Sequence, residues 1–493
     1  MALDNLRAFI DAVDAAGDLT RVERAVSVDK EMTEVADRCM KSPGGGPALL
    51  FTHPTLSGGG RSRYPVAVNL FGSERRMALA LGVECLDHVG ARISELVALK
   101  VPEGLLGKLA MLPRLAEVAK FPPKTVGGGR AACQDTVITG SDVDLAQFPV
   151  PICWPEDGGP YITLGGVITR DPVSGVRNVG MYRVQVLGKN ALAMHWQRHK
   201  VGAAHWRAMA ERGETMPVAI ALGGDPASIY AASAPLPPTI DEFLFAGFLR
   251  GEPVRLAKAV TSDLDVPAEA EIVIEGHIDP RGELVLEGPF GDHTGFYSLA
   301  DYYPKVHVTA VTFRKDPIWP HTIVGRPPME DYYLGHATER IFLPLLRLTI
   351  PEIVDLHMPA EGIFHNLVFV SIDKQYPGQA YKVMNGLWGQ GLMSLAKVIV
   401  VVDKDVNVRD PKEAWWVALN HIDPERDVRF TMGPIDVLDH SSRGFTYGSK
   451  MGIDATRKWK EEGFTREWPN KIVMDAATKQ KVDEMWKDLG IEL

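Results

Sequence analysis

Hydrophobic positions recur at helical spacing near the start of the chain. The apolar residues before Gly17 that share one helical face are Leu6, Phe9, Ile10 and Val13. Further helices are predicted over Lys30–Met40 and near Ser73–Leu81, and between them the apolar run 48–52 follows a Pro/Gly break at 43–47. Residues 1–130 are therefore predicted to form an N-terminal α/β region.

From about residue 131 the pattern changes to short alternating segments that Gly, Pro and Asp separate. These segments cover residues 161–169, 181–187, 218–222, 271–278 and 306–314. Such spacing predicts a β-barrel or sandwich over 131–320. The apolar segment Ile240–Leu249 interrupts it as a predicted helix that must pack inside or against the barrel.

Beyond residue 321, helical and strand patterns alternate. Predicted helices at 339–348 and 381–392 alternate with apolar strands at 367–372 and 397–402, which is typical of a parallel α/β domain over 321–450. The tail 451–493 ends in a predicted helix with an apolar face formed by Val482, Met485, Trp486 and Leu489. We expect this face to fold back on its own domain, and the alternative is docking on a second subunit.

Composition excludes several classes of protein. Hydrophobic residues make up 45% and charged residues 24%, as in ordinary soluble chains. The 53 basic and 63 acidic residues give a net charge of −10, which opposes binding to a nucleic acid. Four cysteines without a CxxC pair indicate a reducing cytosol, and the chain shows neither a secretion signal nor a transmembrane segment.

A tight acidic turn is one candidate for chemistry. The segment Glu287-Gly-Pro-Phe-Gly-Asp292 holds two carboxylates on a turn whose glycines let the backbone approach a ligand. Its apolar neighbours in sequence are Leu284, Leu286, Phe290 and Phe296. A carboxyl among apolar groups has a raised pKa and can donate a proton near neutrality. Taken alone, such a turn is more often a solvated loop.

Arg183 is the second candidate, because it lies among apolar residues in the predicted strand 177–186. A bidentate pair with Glu287 would satisfy it and leave a fork for a substrate carboxylate, and the alternative is a structural ion pair at the barrel rim. Strict alternation puts Asn178 and Arg183 on opposite faces. Both can reach one site only if Gly180 marks a bulge or Asn178 precedes the strand.

Three separated motifs follow one another along the chain. They are Asn178-x-x-x-x-Arg183, Glu242 within 241–250, and Glu287-Gly-Pro-Phe-Gly-Asp-His-Thr-Gly295. Together they resemble the UbiD family of prenylated-flavin-dependent decarboxylases, most closely its 4-hydroxy-3-polyprenylbenzoate branch. Further similarity at 153–157, 325–328 and 449–452 and in the opening helix extends the resemblance over essentially the whole chain.

The resemblance implies a fold and a cofactor. It implies a central split β-barrel, similar to flavin reductases, that binds prenylated FMN between the N-terminal region and a C-terminal oligomerisation domain. Asn178 and Glu242 would coordinate a divalent ion, usually Mn²⁺, that bridges to the flavin phosphate, and K⁺ is a further candidate ion. Lys382 would reach the phosphate. The other positions that match cofactor contacts are Met181, Tyr182, Arg183, His195, Trp196, Gln197, Lys200 and Val201.

The resemblance also implies a reaction, the removal of CO2 from a hydroxybenzoate-like or α,β-unsaturated acid through a covalent adduct with the flavin. Asp292 would be the proton donor, Arg183 the holder of the substrate carboxylate, and Glu287 the group that fixes Arg183 and relays protons. Some relatives carry a histidine as third metal ligand where this chain has Val201 or Gly202. The candidates for that third ligand are His199, His205 and water.

Partners and alternatives complete these expectations. A flavin prenyltransferase of the UbiX type would supply the cofactor, and the chain is expected to form a homo-oligomer, either a dimer or a hexamer. The expected location is the cytoplasm, at a membrane surface if the substrate is polyprenylated. The alternatives are a reversible aromatic carboxylase, a decarboxylase of an aromatic acyl-CoA, and an inactive flavin-binding subunit. The sequence leaves the acid and the physiological direction open.

Overall fold

The computed structural model describes residues 2–97, 120–127, 131–198, 200–364 and 366–491. The N-terminal elements are α1 (Leu6–Ala15), β1 (Leu19–Val22), β2 (Val26–Ser27), α2 (Glu31–Met40), β3 (Ala48–Phe51), β4 (Pro54–Thr55), β5 (Val66–Val68), α3 (Glu74–Ala80) and α4 (Asp87–Val97). The Asn5 side chain caps α1 by accepting a hydrogen bond from the Ala8 N–H, and the predicted apolar face is buried. The helices predicted in this region are present.

The central region is built mostly from strands. In chain order these are β6 (Lys124–Thr125), β7 (Thr136–Thr139), β8 (Tyr161–Ile162), β9 (Gly165–Arg170), β10 (Arg177–Met181), β11 (Val184–Gly188), β12 (Ala191–Met194), β13 (Met216–Gly223), β14 (Arg255–Lys258), β15 (Asp265–Pro267), β16 (Ala270–Ile278), β17 (Leu284–Glu287), β18 (Phe290–Gly291), β19 (Tyr297–Ser298), β20 (Asp301–Phe313) and β21 (Trp319–His321). Its helices are α5 (Val201–Arg212), α6 (Pro226–Ala231) and α7 (Glu242–Arg250).

The main sheet of this region curls until its two ends approach each other. Its strand order is β10-β9-β13-β16-β20-β12-β11-β8, with β7 and β17 also paired to β20. β10 is the first strand of this order and β11 the last but one, yet only Tyr182 and Arg183 separate them in the chain. We call this two-residue junction the seam. The expected barrel is therefore a curled half-barrel, and the seam connects its first strand to the opposite side of the sheet.

The apolar helix predicted inside the barrel region is α7, and it is largely buried. Phe243 and Ala246 pack in one core with residues of β9, β10 and β13, while Phe248 and Leu249 pack in the N-terminal core. The N-terminal sheet has the order β1-β3-β5-β21 and so takes its last strand from residues 319–321. The expected boundary at residue 320 therefore falls within β21.

The C-terminal elements are α8 (Glu330–Thr349), β22 (Ile353–His357), β23 (Leu367–Ile372), α9 (Gln379–Trp388), β24 (Val398–Asp403), α10 (Pro411–His421), α11 (Pro424–Asp427), β25 (Val428–Pro434), β26 (Tyr447–Asp454) and α12 (Ala476–Met485). The sheet order is β22-β23-β24-β26-β25. The three inner strands are parallel, as predicted, and both edge strands run antiparallel. β26 crosses the expected boundary at residue 450.

The C-terminal tail does not pack as expected. The residues of α12 are exposed or partly exposed, and so are Ile472, Val473 and Met474 before it. The apolar face of the tail is therefore not covered by its own domain. Among the described residues, no helix combines the length and the apolar character that crossing a bilayer requires.

Candidate active site

One buried arginine is bound by two carboxylates. Arg183 donates through Nε and Nη2 to Glu287 Oε1 and Oε2 over 2.8 and 3.1 Å, and through Nη1 to Asp292 Oδ2 over 2.5 Å. The guanidinium is 8% exposed and also lies over the Phe290 ring, 4.7 Å from its centroid. The bidentate pair predicted from sequence is present. Three of the five guanidinium N–H groups are used, and two remain for an anionic ligand.

The seam explains how the side chains of Asn178 and Arg183 can both reach one site although strict alternation would put them on opposite faces of a strand. β10 pairs with β9 in continuous register, so Gly180 is not a bulge. The strand instead ends at Met181, and Arg183 lies outside both ladders, where strict alternation no longer applies. Gly180 has a different role, because a Cβ there would lie 2.3 Å from the Tyr182 ring.

Both carboxyl groups have pKa values below their ordinary range. Burial opposes ionisation of Glu287, but the hydrogen bonds and positive charges of His195 and Arg183 outweigh it. Burial also opposes ionisation of Asp292, where His293 and Arg183 hold the pKa low. The expectation of a raised carboxyl pKa is therefore wrong for this ligand-free arrangement.

The physical reason lies in the alternation of β17. Leu284 and Leu286 are exposed, while Glu287 at the end of the same strand is buried on the other face. Phe296 is also exposed, so Phe290 is the one flanking apolar residue that faces the charged group. Residues that are neighbours in sequence thus do not form an apolar wall around the carboxyls.

His195 extends this group beyond β12. Its Nδ1 lies 2.9 Å from Glu287 Oε2, and its ring centroid lies 4.3 Å from that of Tyr303. Burial lowers the pKa of His195, and the charge of Arg183 lowers it further, while the contact with Glu287 opposes both effects. The buried Nε2 has no hydrogen-bond partner among the described residues. It is available to a ligand.

The acidic turn is held by residues for which the sequence indicated no role. The Gly288 N–H donates to Gln185 Oε1 over 2.9 Å, and the Gly291 N–H donates to Asp157 Oδ1 over 2.7 Å. The Trp154 indole lies where a Cβ of Gly291 would be, 2.1 Å from its Cδ1. The segment 153–157 was notable only for its similarity to a family. Its contacts with residue 291 are distant in sequence, so local spacing could not reveal them.

His293 is a further residue that sequence reasoning missed. Its Nδ1 lies 3.0 Å from Asp292 Oδ1. Burial lowers the pKa of His293, but the charge of Asp292 outweighs this effect and raises it. The adjacency of an acid and a histidine in the motif was the available signal.

The predicted metal ligands come together at β10. The Val179 N–H donates to Glu242 Oε2 over 2.8 Å, which brings the first residue of α7 beside Asn178. Burial raises the pKa of Glu242 to about 7. The buried Nδ2 of Asn178 has no hydrogen-bond partner within the described part of the chain. A buried carboxylate beside an amide oxygen is the donor set that a hard cation prefers, so these residues fit a divalent ion.

The start of α5 fits an anion. The side chain of Lys200, the residue before this helix, does not cap it, and of the first N–H groups that of Gly202 donates to Tyr182 Oη over 3.4 Å. The ammonium of Lys200 is largely buried, and this burial lowers its pKa. A Cβ at Gly202 would lie 2.7 Å from Trp196 Nε1, so the glycine allows the indole to pack against the first turn. The uncapped N–H groups and Lys200 together form a cradle suited to a phosphate.

Of the remaining residues predicted to contact the cofactor, Met181, Tyr182 and Gln197 lie around the end of β10 and the start of α5, and Lys382 lies elsewhere. Met181 donates its N–H to Ala232 O over 2.7 Å, Tyr182 packs edge-on against Trp196, and Gln197 accepts the Lys200 N–H. Lys382 does not join them. It is half-exposed on α9 and donates to Glu352 over 2.6 Å, so the prediction that it reaches the phosphate is not supported.

Besides water, two histidines are candidates for a third metal ligand from the sequence. His205 is buried on α5, with Nδ1 3.0 Å from Thr169 Oγ1. Thr169 in turn pairs with Asn178 across β9 and β10, so His205 lies near the predicted ligand Asn178. His199 lies outside the described residues.

Three family models match the chain. They are the N-terminal domain of 3-octaprenyl-4-hydroxybenzoate carboxy-lyase over residues 10–93, its Rift-related domain over 124–327, and its C-terminal domain over 332–455. Among sequence relatives, an uncharacterised protein of Aquifex aeolicus is 53% identical over 488 residues, which cover 99% of each chain.

Solved structures of two enzymes are similar to this chain over nearly its whole length. The UbiD-class enzyme HmfF from Pelotomaculum thermopropionicum, in complex with FMN, has a TM-score of 0.81 at 29% identity and covers 97% of this chain and 99% of its own. A second structure of that enzyme, an evolved dimeric form, holds prenylated FMN. The vanillic acid decarboxylase of Sedimentibacter hydroxybenzoicus in its closed form has a TM-score of 0.83 at 27% identity and covers 100% of both chains.

Proposed function

The chain belongs to the UbiD family, and on that basis we propose that it is a decarboxylase that removes CO2 from an aromatic carboxylic acid with prenylated FMN as cofactor. The observation that carries the proposal is the buried guanidinium of Arg183, which has two free N–H groups between two carboxylates. Such a fork binds a planar carboxylate, and its bidentate partner Glu287 fixes its orientation.

The cofactor would lie between the two halves of the site. Asn178 and Glu242 would hold a divalent ion such as Mn²⁺, while Lys200 and the start of α5 would hold the flavin phosphate. Prenylated FMN, when bound, supplies the electron sink that lets CO2 leave. The free Nε2 of His195 would face the same space and donate or accept one hydrogen bond there.

Asp292 would deliver the proton that replaces CO2. Its pKa is low while Arg183 has only protein partners. When a substrate carboxylate binds to the same guanidinium, it places a second negative charge beside Asp292 and raises that pKa. The acid would therefore become a proton donor only in the substrate complex. Glu287 and His195, joined at 2.9 Å, would carry the replacement proton from solvent.

The similar enzymes support the proposed substrate class. Vanillic acid is an aromatic acid, and HmfF belongs to the same class of enzyme. Asp292 in place of a longer glutamate agrees with the hydroxybenzoate branch that the motif resembles. An aromatic ring that carries a hydroxyl group is therefore the first substrate to test.

Assembly and cofactor supply are part of the proposal. The exposed apolar residues 472–474 and helix α12 would be covered by a second copy of the chain in a dimer or hexamer. A flavin prenyltransferase of the UbiX type would supply the cofactor.

The test uses the chain co-expressed with a flavin prenyltransferase. Mass spectrometry of the released cofactor should give the mass of prenylated FMN, and a panel of hydroxybenzoates, cinnamates and heteroaromatic acids should release CO2. A matched preparation without the prenyltransferase should release none. If the loaded protein decarboxylates no acid of the panel and instead carboxylates a phenol or acts on an aromatic acyl-CoA, the proposed reaction is wrong.

A further inference from the structure

Two histidines and one glutamate meet at the junction between α8 and the C-terminal sheet. His336 and Glu339 lie one turn apart on α8, and His357 ends β22. His336 Nδ1 lies 2.7 Å and His357 Nδ1 2.9 Å from the same oxygen, Glu339 Oε1. All three side chains are buried, and their three atoms lie within 4.8 Å of one another.

These separations suit atoms that share one ion. Zinc binds histidine nitrogens and carboxylate oxygens at about 2 Å, so neighbouring ligand atoms lie about 3 Å apart. The approach of His336 Nδ1 to Glu339 does not have the geometry of a hydrogen bond. This buried nitrogen therefore has no hydrogen-bond partner among the residues that the structure describes. A nitrogen that lies 2.7 Å from a buried carboxylate oxygen without hydrogen-bond geometry is costly unless a proton or a cation lies between them.

The surrounding contacts orient the three groups. His336 Nε2 lies 3.0 Å from Glu74 Oε1 on α3, so the far nitrogen of the ring has a carboxylate partner. The Met358 N–H donates to Glu339 Oε2 over 2.7 Å and leaves Oε1 for the two histidines. Histidine ligands of metal ions usually donate their other nitrogen in this way, which fixes the tautomer and directs the free nitrogen inward.

The charged side chains around Glu339 leave enough negative charge to bind an ion with two positive charges. Arg340 Nε lies 3.4 Å from Glu339 Oε1, but its Nη1 is bound to Asp355 over 2.6 Å. Arg409 is bound to Asp355 and to Asp87, each over 2.9 Å, and Arg340 also lies 3.7 Å from Asp87. The two aspartates therefore compensate the two arginines. The negative charges of Glu339 and Glu74 remain to neutralise an ion with two positive charges.

We propose that His336 Nδ1, His357 Nδ1 and Glu339 Oε1 bind one divalent transition-metal ion of the zinc class. Two imidazoles and one carboxylate are a donor set for such ions. The ion would tie α8 to the first strand of the C-terminal sheet, with Glu74 of the N-terminal region as the partner of one ligand. It is separate from the ion proposed at Asn178 and Glu242, and it needs no flavin.

Metal binding to the flavin-free chain tests the proposal. Protein made without a flavin prenyltransferase, stripped with EDTA and then freed of chelator, is titrated with ZnCl2 against a competing chromophoric chelator. We expect one tight equivalent of zinc per chain that survives Glu242→Gln. Glu339→Gln and His357→Gln should weaken this binding at least 100-fold, and Glu74→Gln should weaken it 10–100-fold, as expected for the partner of a ligand. His277→Gln on β16 is the matched control and should leave binding unchanged.

Crystals of the wild-type protein soaked in zinc serve as a second measurement that needs no variant. The anomalous signal at the zinc edge should give a peak about 2 Å from the three proposed ligand atoms. The absence of a peak beside these three atoms overturns the proposal, as does the absence of a stoichiometric equivalent that survives Glu242→Gln. Zinc binding that Glu339→Gln leaves unchanged also overturns it. In those cases the cluster is held by protonated histidines alone.

Discussion

Replacing Asp292 with asparagine separates proton delivery from the rest of the proposed reaction. The amide has the shape of the acid and can still accept a hydrogen bond from Arg183, but it cannot supply a proton. The pairing of Arg183 with Glu287 is unchanged, so flavin content and substrate binding should stay near wild type. Loss of a general acid typically slows a reaction 10²–10⁴-fold. We expect a fall in kcat within this range.

The structure also limits the cost in stability. The substitution removes the carboxylate that Arg183 and His293 share, which costs about 3 kcal/mol. A 10³-fold loss of rate corresponds to about 4 kcal/mol of barrier. The effect on turnover should therefore exceed the effect on folding, and a melting curve measured beside the rate separates the two.

The assay measures CO2 release and the deuterium content of the product in D2O, with the flavin spectrum recorded on the same samples. Asp301→Asn is the matched control, because Asp301 pairs with Glu287 across β17 and β20 but is exposed. It should keep full turnover. If Asp292→Asn turns over within three-fold of the wild type, or if it loses its flavin, Asp292 is not the proton donor.

Three further predictions concern the same molecule. Glu287→Gln should destabilise the flavin-free chain by about 3 kcal/mol at pH 7, because it removes one partner of a buried ion pair. Since the pKa of Glu287 is lowered in the folded state, this difference in melting temperature should shrink as the pH falls below roughly 4, and a constant difference would contradict the reasoning. Gly291→Ala should reduce both turnover and melting temperature, because its Cβ would collide with Trp154, whereas Gly188→Ala meets open space and should change neither. Removal of residues 470–493 should lower the oligomeric state in light scattering without lowering the melting temperature measured at low protein concentration, and an unchanged assembly would exclude the tail as the contact between subunits.

Hydrophobic periodicity was sufficient to predict the first and the last helix of the chain. The spacing of Leu6, Phe9 and Ile10 predicts α1 because one apolar face is buried and the other is solvated. The terminal helix was also predicted, but its environment was not. Periodicity shows that an apolar face exists, and it carries no information about which surface covers that face.

The active-site region shows where local patterns fail. Alternation assumes an unbroken strand, so it could not show that the ladder stops at Met181 and leaves Arg183 outside it. Alternation in β17 was sufficient to place Leu284 and Leu286 opposite Glu287, and the expectation of an apolar wall neglected it. The pairing of Lys382 with Glu352 was not visible because the contact depends on the packing of α9.

The seam has a consequence for the order in which the protein folds. Tyr182 and Arg183 lie where two ends of one sheet approach, and all the strands from β9 to β12 in the sheet order must pair before those ends can meet. Contacts that close such long loops form late. In a refolding experiment, the ion pair between Arg183 and Glu287 should therefore appear among the last native contacts. Until then, a newly made chain would have a largely formed core and no capacity to bind the acid.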